Sequence, residues 1–298
     1  MDQTLLKTGA TSILLGSKHY GGFIPPQVNK LLKVTRRIIK HDEFKYLHIV
    51  RTIKNYKDYY SIPDEEFRIL KPSDVFYSHL MNLIKHERMD LFKGELECCM
   101  IDYAGQKDLL DTIGDLSSVG YSIIWRSPKD ILRFSQKMLQ AISYLHEKKL
   151  AHLDIKPENV VVNMRKKEFK IIDFGFTSLY PFDDYVKDPR GTPSYFPKQF
   201  RCDHSSNWLP AIEANDAILI DSTMPMVKNR DLVYKVDSFC LGRVLYMLWY
   251  IYNDNFEPEC FCFGQSKTDK IDNMISDLLE NDCNKRITIR KCLEKYFS

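Results

Sequence analysis

An α+β fold in two unequal parts is what this sequence predicts, and three stretches predict it. Short strand-like apolar pieces crowd the first hundred residues. Pro128 to Lys149 then places Ile131, Phe134, Met138, Leu139, Ile142 and Leu145 on one helical face. Val160 to Val162 and Phe169 to Ile172 are apolar runs around the charged tip Arg165-Lys166-Lys167-Glu168, a hairpin pattern. The expected division is a small β-rich part over 1–104 and a larger, mainly helical part over 105–298.

The chain has 298 residues, enough for two packed parts without further domains. Hydrophobic residues make up 44% and charged residues 28%, so a packed core is expected rather than disorder. The net charge is only +3, with Lys and Arg spread along the chain, and no concentrated basic face points to nucleic acid. The eight cysteines include the adjacent pair Cys98 and Cys99. Cys260 and Cys262 lack the spaced partners of a zinc site, so reduced thiols in a cytosolic protein are expected. Ile13-Leu14-Leu15 is too short for a signal-peptide core. The longest apolar run, Phe239 to Ile251, contains Arg243 and reads as a buried helix rather than a membrane span.

The chemistry concentrates between Ala151 and Thr177. His152-Leu153-Asp154-Ile155-Lys156-Pro157-Glu158-Asn159 precedes the hairpin and Asp173-Phe174-Gly175 follows it. The hairpin would bring Asp154, Lys156, Asn159 and Asp173 to the same end of two strands. Two acids, an amide and a cation at one mouth suit phosphoryl transfer. That reaction needs Mg²⁺ held against phosphate oxygens and a carboxylate to orient the attacking hydroxyl.

In these two segments the chain resembles the catalytic loop and metal-binding loop of eukaryotic-type Ser/Thr protein kinases, and over its whole length those of large cytoplasmic DNA viruses. The resemblance implies a two-lobed protein-kinase-like fold, with ATP and Mg²⁺ as cofactors and Ser/Thr residues of proteins as substrates. It implies neither a specific nucleic acid nor a membrane, and it gives host cytoplasm, with packaging into virions, as the setting. Asp154 would be the catalytic base and Lys156 would neutralise the transferring phosphoryl group. Asn159 and Asp173 would hold Mg²⁺. His152 would pack under the loop. Leu153 stands where many relatives carry arginine and cannot pair with an activation-loop phosphate, so activity without such phosphorylation is expected. Thr177, Ser178, Tyr180 and Tyr185 are candidate phosphosites in the loop that follows.

In the small part, Leu15 to Phe23 resembles a glycine-rich loop, with Gly16 and Gly21 near the phosphates and Lys18 where the middle glycine belongs. Lys33 is the chosen phosphate-contacting lysine, with Lys40 and Lys30 as rivals. His41 to Asn55 has helical spacing, and Glu43 in its first turn would pair with Lys33. Leu47 would then join an internal stack with Phe174 and His152. Cys98 to Gly105 resembles the hinge: Ile101 as gatekeeper, Asp102 to Ala104 bonding adenine through their backbone, and Asp108 reaching the ribose.

In the large part, Gly191 to Lys198 resembles the segment that receives protein substrate, with Thr192 bonding near Asp154 and Lys156. Lys198 stands where the resemblance implies a glutamate paired with Arg286, so either another acid such as Glu213 takes that place or the bridge is absent. Residues 199–232 read as an inserted surface segment. Asp237 would accept hydrogen bonds from the catalytic-loop backbone. An active kinase is the leading expectation. A pseudokinase scaffold is favoured by the altered glycine loop and the ten-residue Lys33–Glu43 spacing, and a small-molecule kinase of related fold is the third candidate.

Overall fold

The computed structural model describes residues 6–8, 12–22, 29–36, 45–63, 68–83, 94–119, 124–180, 191–197, 230–255 and 266–298. The chain divides into two compact units, the first of 1–44 and 61–104, the second of 45–60 and 105–298. Residues 45–60 therefore lie inside the N-terminal stretch of sequence but pack with the second unit.

The first unit is a five-stranded antiparallel sheet. Its strands are β1 (Leu6–Thr8), β2 (Ser12–Leu15), β3 (Lys30–Arg36), β4 (Arg68–Leu70) and β5 (Leu96–Asp102), in the order β1-β2-β3-β5-β4. Between β2 and β3 runs the four-residue helix α1 (Ser17–Tyr20). Period-two alternation puts Leu32 and Val34 of β3 on one face. There they join Leu96 and Cys98 of β5 in a buried cluster completed by Phe76, Tyr77 and Leu80. Those last three belong to a helix between β4 and β5, called α3 below (Val75–Leu83). Lys33 shares the opposite face with its cross-strand partner Cys99.

The helix expected over His41 to Asn55 ends at Val50, five residues early. Among its described residues α2 (Leu47–Val50) is helical, and it is followed by turns and a 3₁₀ turn at Tyr56–Asp58. Asn55 sits in the left-handed region at φ 55° and leads into the 3₁₀ turn. Residues 41–44 lie outside the described residues. Leu47 and Val50 are nevertheless fully buried.

The second unit is built on helices. After the short strand β6 (Lys107–Asp108) come α4 (Leu109–Val119) and α5 (Pro128–Glu147). Pro128 occupies the first turn of α5, where its missing N–H costs nothing. Asp130 reaches back to accept from the Arg126 N–H and the Ser127 hydroxyl. The predicted apolar face of α5 is fully buried. Lys149, at φ 63°, turns the chain out of the helix into β7 (Leu150–Ala151). The expected hairpin is present as β8 (Val160–Asn163) paired antiparallel with β9 (Glu168–Ile171). Asn163 Oδ1 accepts the Lys166 N–H to form its tip. The strand β10 (Ser178–Leu179) returns to pair with β7.

Three more helices follow among the described residues: α6 (Arg230–Asn255), α7 (Ser266–Leu278) and α8 (Ile289–Phe297). The inserted segment read as 199–232 ends earlier than expected, because Arg230 to Leu232 already belong to the first turn of α6. The rest of that segment, with Glu213, lies outside the described residues. Residues 45–60 are anchored to this unit by Tyr60. Its hydroxyl donates to the Ala141 carbonyl, its ring meets Phe174 edge-on at 5.8 Å, and Tyr59 O accepts the Ile171 N–H.

Candidate active site

A single carboxylate shapes the loop that begins at His152. Asp237 is fully buried in α6 and accepts the His152 N–H at 2.9 Å and the Leu153 N–H at 2.8 Å on its two oxygens. His146 Nε2 lies 2.9 Å from the same oxygen that His152 uses. Hydrogen bonds to an ionised acceptor are roughly twice as strong as neutral ones. They hold Leu153 at φ 65°, a left-handed conformation that costs a leucine about 1–2 kcal/mol. The next residue is thereby turned into position. His152 packs its ring on Phe174 at 5.0 Å and accepts the Asp154 N–H on Nδ1. Complete burial pushes the pKa of His152 down, and the nearby Asp237, Asp154 and Asp173 oppose this only in part.

Asp154 is buried and fully engaged. Its Oδ1 accepts the Thr192 hydroxyl at 2.6 Å, and its Oδ2 accepts Asn159 Nδ2 at 2.7 Å and lies 3.0 Å from Lys156 Nζ. Lys156 Nζ also donates to Thr192 Oγ1 at 2.7 Å. The proton-donor chain therefore runs from the lysine through the threonine to the carboxylate. Thr192 is delivered by Gly191, whose φ of 132° suits only glycine. A Cβ there would stand 2.3 Å from the Leu153 carbonyl oxygen and 2.2 Å from the Phe196 ring.

Asn159 lies at the end of a 3₁₀ turn, Pro157–Asn159, and its Nδ2 donates to both the backbone oxygen and Oδ2 of Asp154. With both amide hydrogens so directed, the side chain offers Oδ1 as a ligand oxygen. The Ile172 N–H donates to Asn159 O at 2.9 Å, which brings Asp173 beside it. Asp173 holds φ 63° and its Oδ1 accepts the Gly175 N–H. Among the described residues no three His, Cys, Asp or Glu side chains gather as a metal cage. Mg²⁺ needs no such cage, since one or two protein oxygens combine with phosphate oxygens and water around it. Asn159 and Asp173 fit that requirement.

The nucleotide-side candidates in the first unit are more scattered. Gly16 and Gly21 bracket α1, so the stretch expected as a glycine-rich turn between strands is a helical turn instead. Lys33 sits mid-strand opposite Leu14 and Cys99. Its rival Lys30 lies on the other face and is ion-paired to Asp102 at 2.6 Å. Glu43 and Lys40 lie outside the described residues. Asp102 ends β5, and its carbonyl accepts the Ser61 hydroxyl. Ala104 is buried and closes the first unit. Asp108, in the second unit, accepts the Asp111 N–H on Oδ1 and so caps α4.

Arg286 stands apart from this cluster. Among the described residues its guanidinium reaches no carboxylate within ion-pair distance. It donates instead to the carbonyls of Glu280, Lys235 and Asn281, and lies over the Phe239 ring at 4.8 Å. Lys198 lies outside the described residues. Tyr60 and Ser61 escaped the sequence reading because a polar stretch with no period gives no sign that its side chains turn inward.

A fold of this kind, with an acid, a lysine, an amide and a second acid on one hairpin, defines a protein kinase. The chain belongs to that family: the model described as "Protein kinase domain" matches residues 46–202, slightly more than half of the chain. The fold is the two-lobed protein-kinase fold, a small β-sheet unit and a helical unit. Human myosin light chain kinase 3 is 30% identical over 123 residues, covering 39% of this chain and 14% of that protein. A probable casein kinase II subunit alpha homolog of Encephalitozoon cuniculi (strain GB-M1) is 36% identical over 86 residues, or 24% of this chain and 27% of its own. Human myosin light chain kinase family member 4 is 27% identical over 176 residues, covering 57% and 37%. The chain thus spans well under half the length of these curated relatives.

Proposed function

We propose that the protein transfers the γ-phosphoryl group of ATP to Ser/Thr hydroxyls of proteins. The observation that carries this is the state of Asp154: a buried carboxylate oriented by Thr192, Asn159 and Lys156. Asp154 would hold the substrate hydroxyl in line and receive its proton. Lys156 would lie against the phosphoryl group in transit and offset its charge. Asn159 and Asp173 would hold Mg²⁺, which supplies neutralisation of the phosphate oxygens. Lys156 and its contact with Thr192 favour Ser/Thr over Tyr acceptors, in keeping with the names of the relatives. Of the three lysines, Lys33 is our choice for the phosphates because Lys30 is taken by Asp102 and lies on the other face. Asp154→Ala is expected to abolish transfer to a basic test protein while ATP binding persists, and transfer at the original rate in that variant would refute the assignment.

A nucleotide-poor scaffold is the second reading, and the helical turn at Ser17–Tyr20 in place of a glycine-rich loop favours it. A Mg-ATP thermal shift measured beside phosphate transfer separates the two. We also propose that the chain is a viral kinase like the African swine fever virus serine/threonine protein kinase, acting in host cytoplasm and packaged in virions. That finer placement rests on the whole-chain resemblance, and detection of the protein in purified particles tests it.

A further inference from the structure

Residues 45–60 of the second unit repeat with a period of three. Leu47, Val50 and Ile53 form the buried side of that repeat. Lys45, His48, Arg51, Lys54 and Lys57 recur at the same interval on a different side, Arg51 partly buried and the others exposed. The backbone gives the reason. Its hydrogen bonds run mostly from a residue to the third before it, at Ile49, Thr52, Ile53, Tyr56, Asp58 and Tyr59. Such a path turns once in three residues and rises about 2 Å per residue, so every third side chain eclipses and recurs at roughly 6 Å. The cations therefore form a row, with Asp58 as the acid of the segment set against them. Near its end the row meets α5, where Lys137 stands over the Tyr59 ring at 5.5 Å. Burial lowers the pKa of Lys137, Glu168 and Asp58 oppose this, and the cations Lys170 and Arg133 deepen it.

We propose that this row docks an acidic segment of a partner protein, held extended with a carboxylate at every second residue. Alternate side chains of an extended chain lie on one face about 6.6 Å apart, which matches the repeat of the cations. The surface suits charge better than stacking or lipid. Tyr46 and Tyr59 each already carry a lysine of this chain over the ring, Lys45 at 5.2 Å and Lys137 at 5.5 Å, where bases of a single strand would need to stack. Among the described residues, none of the exposed large apolar side chains comes from 45–60, so nothing there would enter a lipid surface. The proposal goes beyond the transfer reaction and does not depend on it.

The test titrates the full chain, without nucleotide and at low salt, against labelled peptides followed by fluorescence anisotropy. One probe is a peptide of about ten residues with glutamate and threonine alternating, and its twin has glutamine for each glutamate. The glutamate peptide should bind and the glutamine twin should not. Lys54→Glu with Lys57→Glu should weaken binding about tenfold, two exposed attractions having become repulsions. Lys71→Glu with Lys291→Glu, the same charge change at exposed lysines outside the row, should leave it within about twofold. Unfolding midpoints report on the fold of each pair, and Lys54→Gln with Lys57→Gln replaces the reversal if that misfolds. Failure of the wild type to bind, no loss in the first pair, or equal losses in both overturn the proposal. Tighter binding of oligothymidylate or of phosphatidylserine vesicles than of the glutamate peptide overturns it too. Absence of phosphate transfer in a chain that binds the peptide overturns the kinase reading only.

Discussion

Asp237 shows how one side chain sets several others. It is buried, it fixes the backbone at His152 and Leu153, and the strain stored at Leu153 is what points Asp154 towards Thr192. His152 beneath this turn is neutral in the folded protein, since burial lowers its pKa from an ordinary value near 6.5. The unfolded chain binds a proton there as pH falls through about 6.5, whereas the folded chain resists doing so. The stabilising contribution is therefore complete above that pH and is lost on acidification. Midpoints of thermal unfolding between pH 7 and pH 5 should fall more steeply for the wild type than for His152→Phe, which keeps the aromatic contact with Phe174 and removes the titration. Equal slopes would show that another group dominates. Gly191 acts at the same scale. Gly191→Ala must move Leu153 or Phe196, and a displacement of about 1 Å at Thr192 is expected to lower kcat about a hundredfold with the fold intact.

Among the elements, α5 and the β8–β9 hairpin were legible in the sequence because each obeys a single rule. The helix has a strict apolar face and a proline start, and the hairpin has two apolar runs around a charged tip. The contacts of Asp154 with Lys156 and Asn159 were legible for the same reason, since these residues lead into the hairpin that Asp173 follows. The stretch 45–55 was not. Its apolar residues fit a helical period, but Leu47 and Val50 are buried by tertiary packing in the second unit while Asn55 adopts a left-handed turn. The run at 15–22 differs in another way: its glycines suggested a turn between strands, and Ser17–Tyr20 form a helical turn. Arg286 illustrates a pairing that sequence could pose and only coordinates could answer. Three carbonyls and the Phe239 ring occupy its guanidinium. Arg286→Ala should therefore cost about 3 kcal/mol or more in denaturant unfolding, because buried carbonyls lose their donors. Arg286→Lys should recover only part of this, as a single ammonium cannot reproduce the fork.

At the scale of the molecule, the absence of arginine at position 153 bears on control. Leu153 is fully buried and apolar, so it offers no partner for a phosphate. Phosphatase-treated protein is expected to keep its full rate of phosphate incorporation, and dependence on prior modification would contradict this. The path of the chain through the two units carries a separate consequence. The backbone passes from one to the other three times, at 44/45, 60/61 and 104/105, so no single cut separates them. A fragment beginning at Gly105 is deprived of Tyr60, whose ring and hydroxyl it needs against Phe174 and Ala141. The complementary fragment ending at Ala104 carries sixteen orphaned residues, 45–60, with buried leucine and valine side chains and nothing to cover them. Halves expressed separately should aggregate, and co-expressed halves should rescue one another.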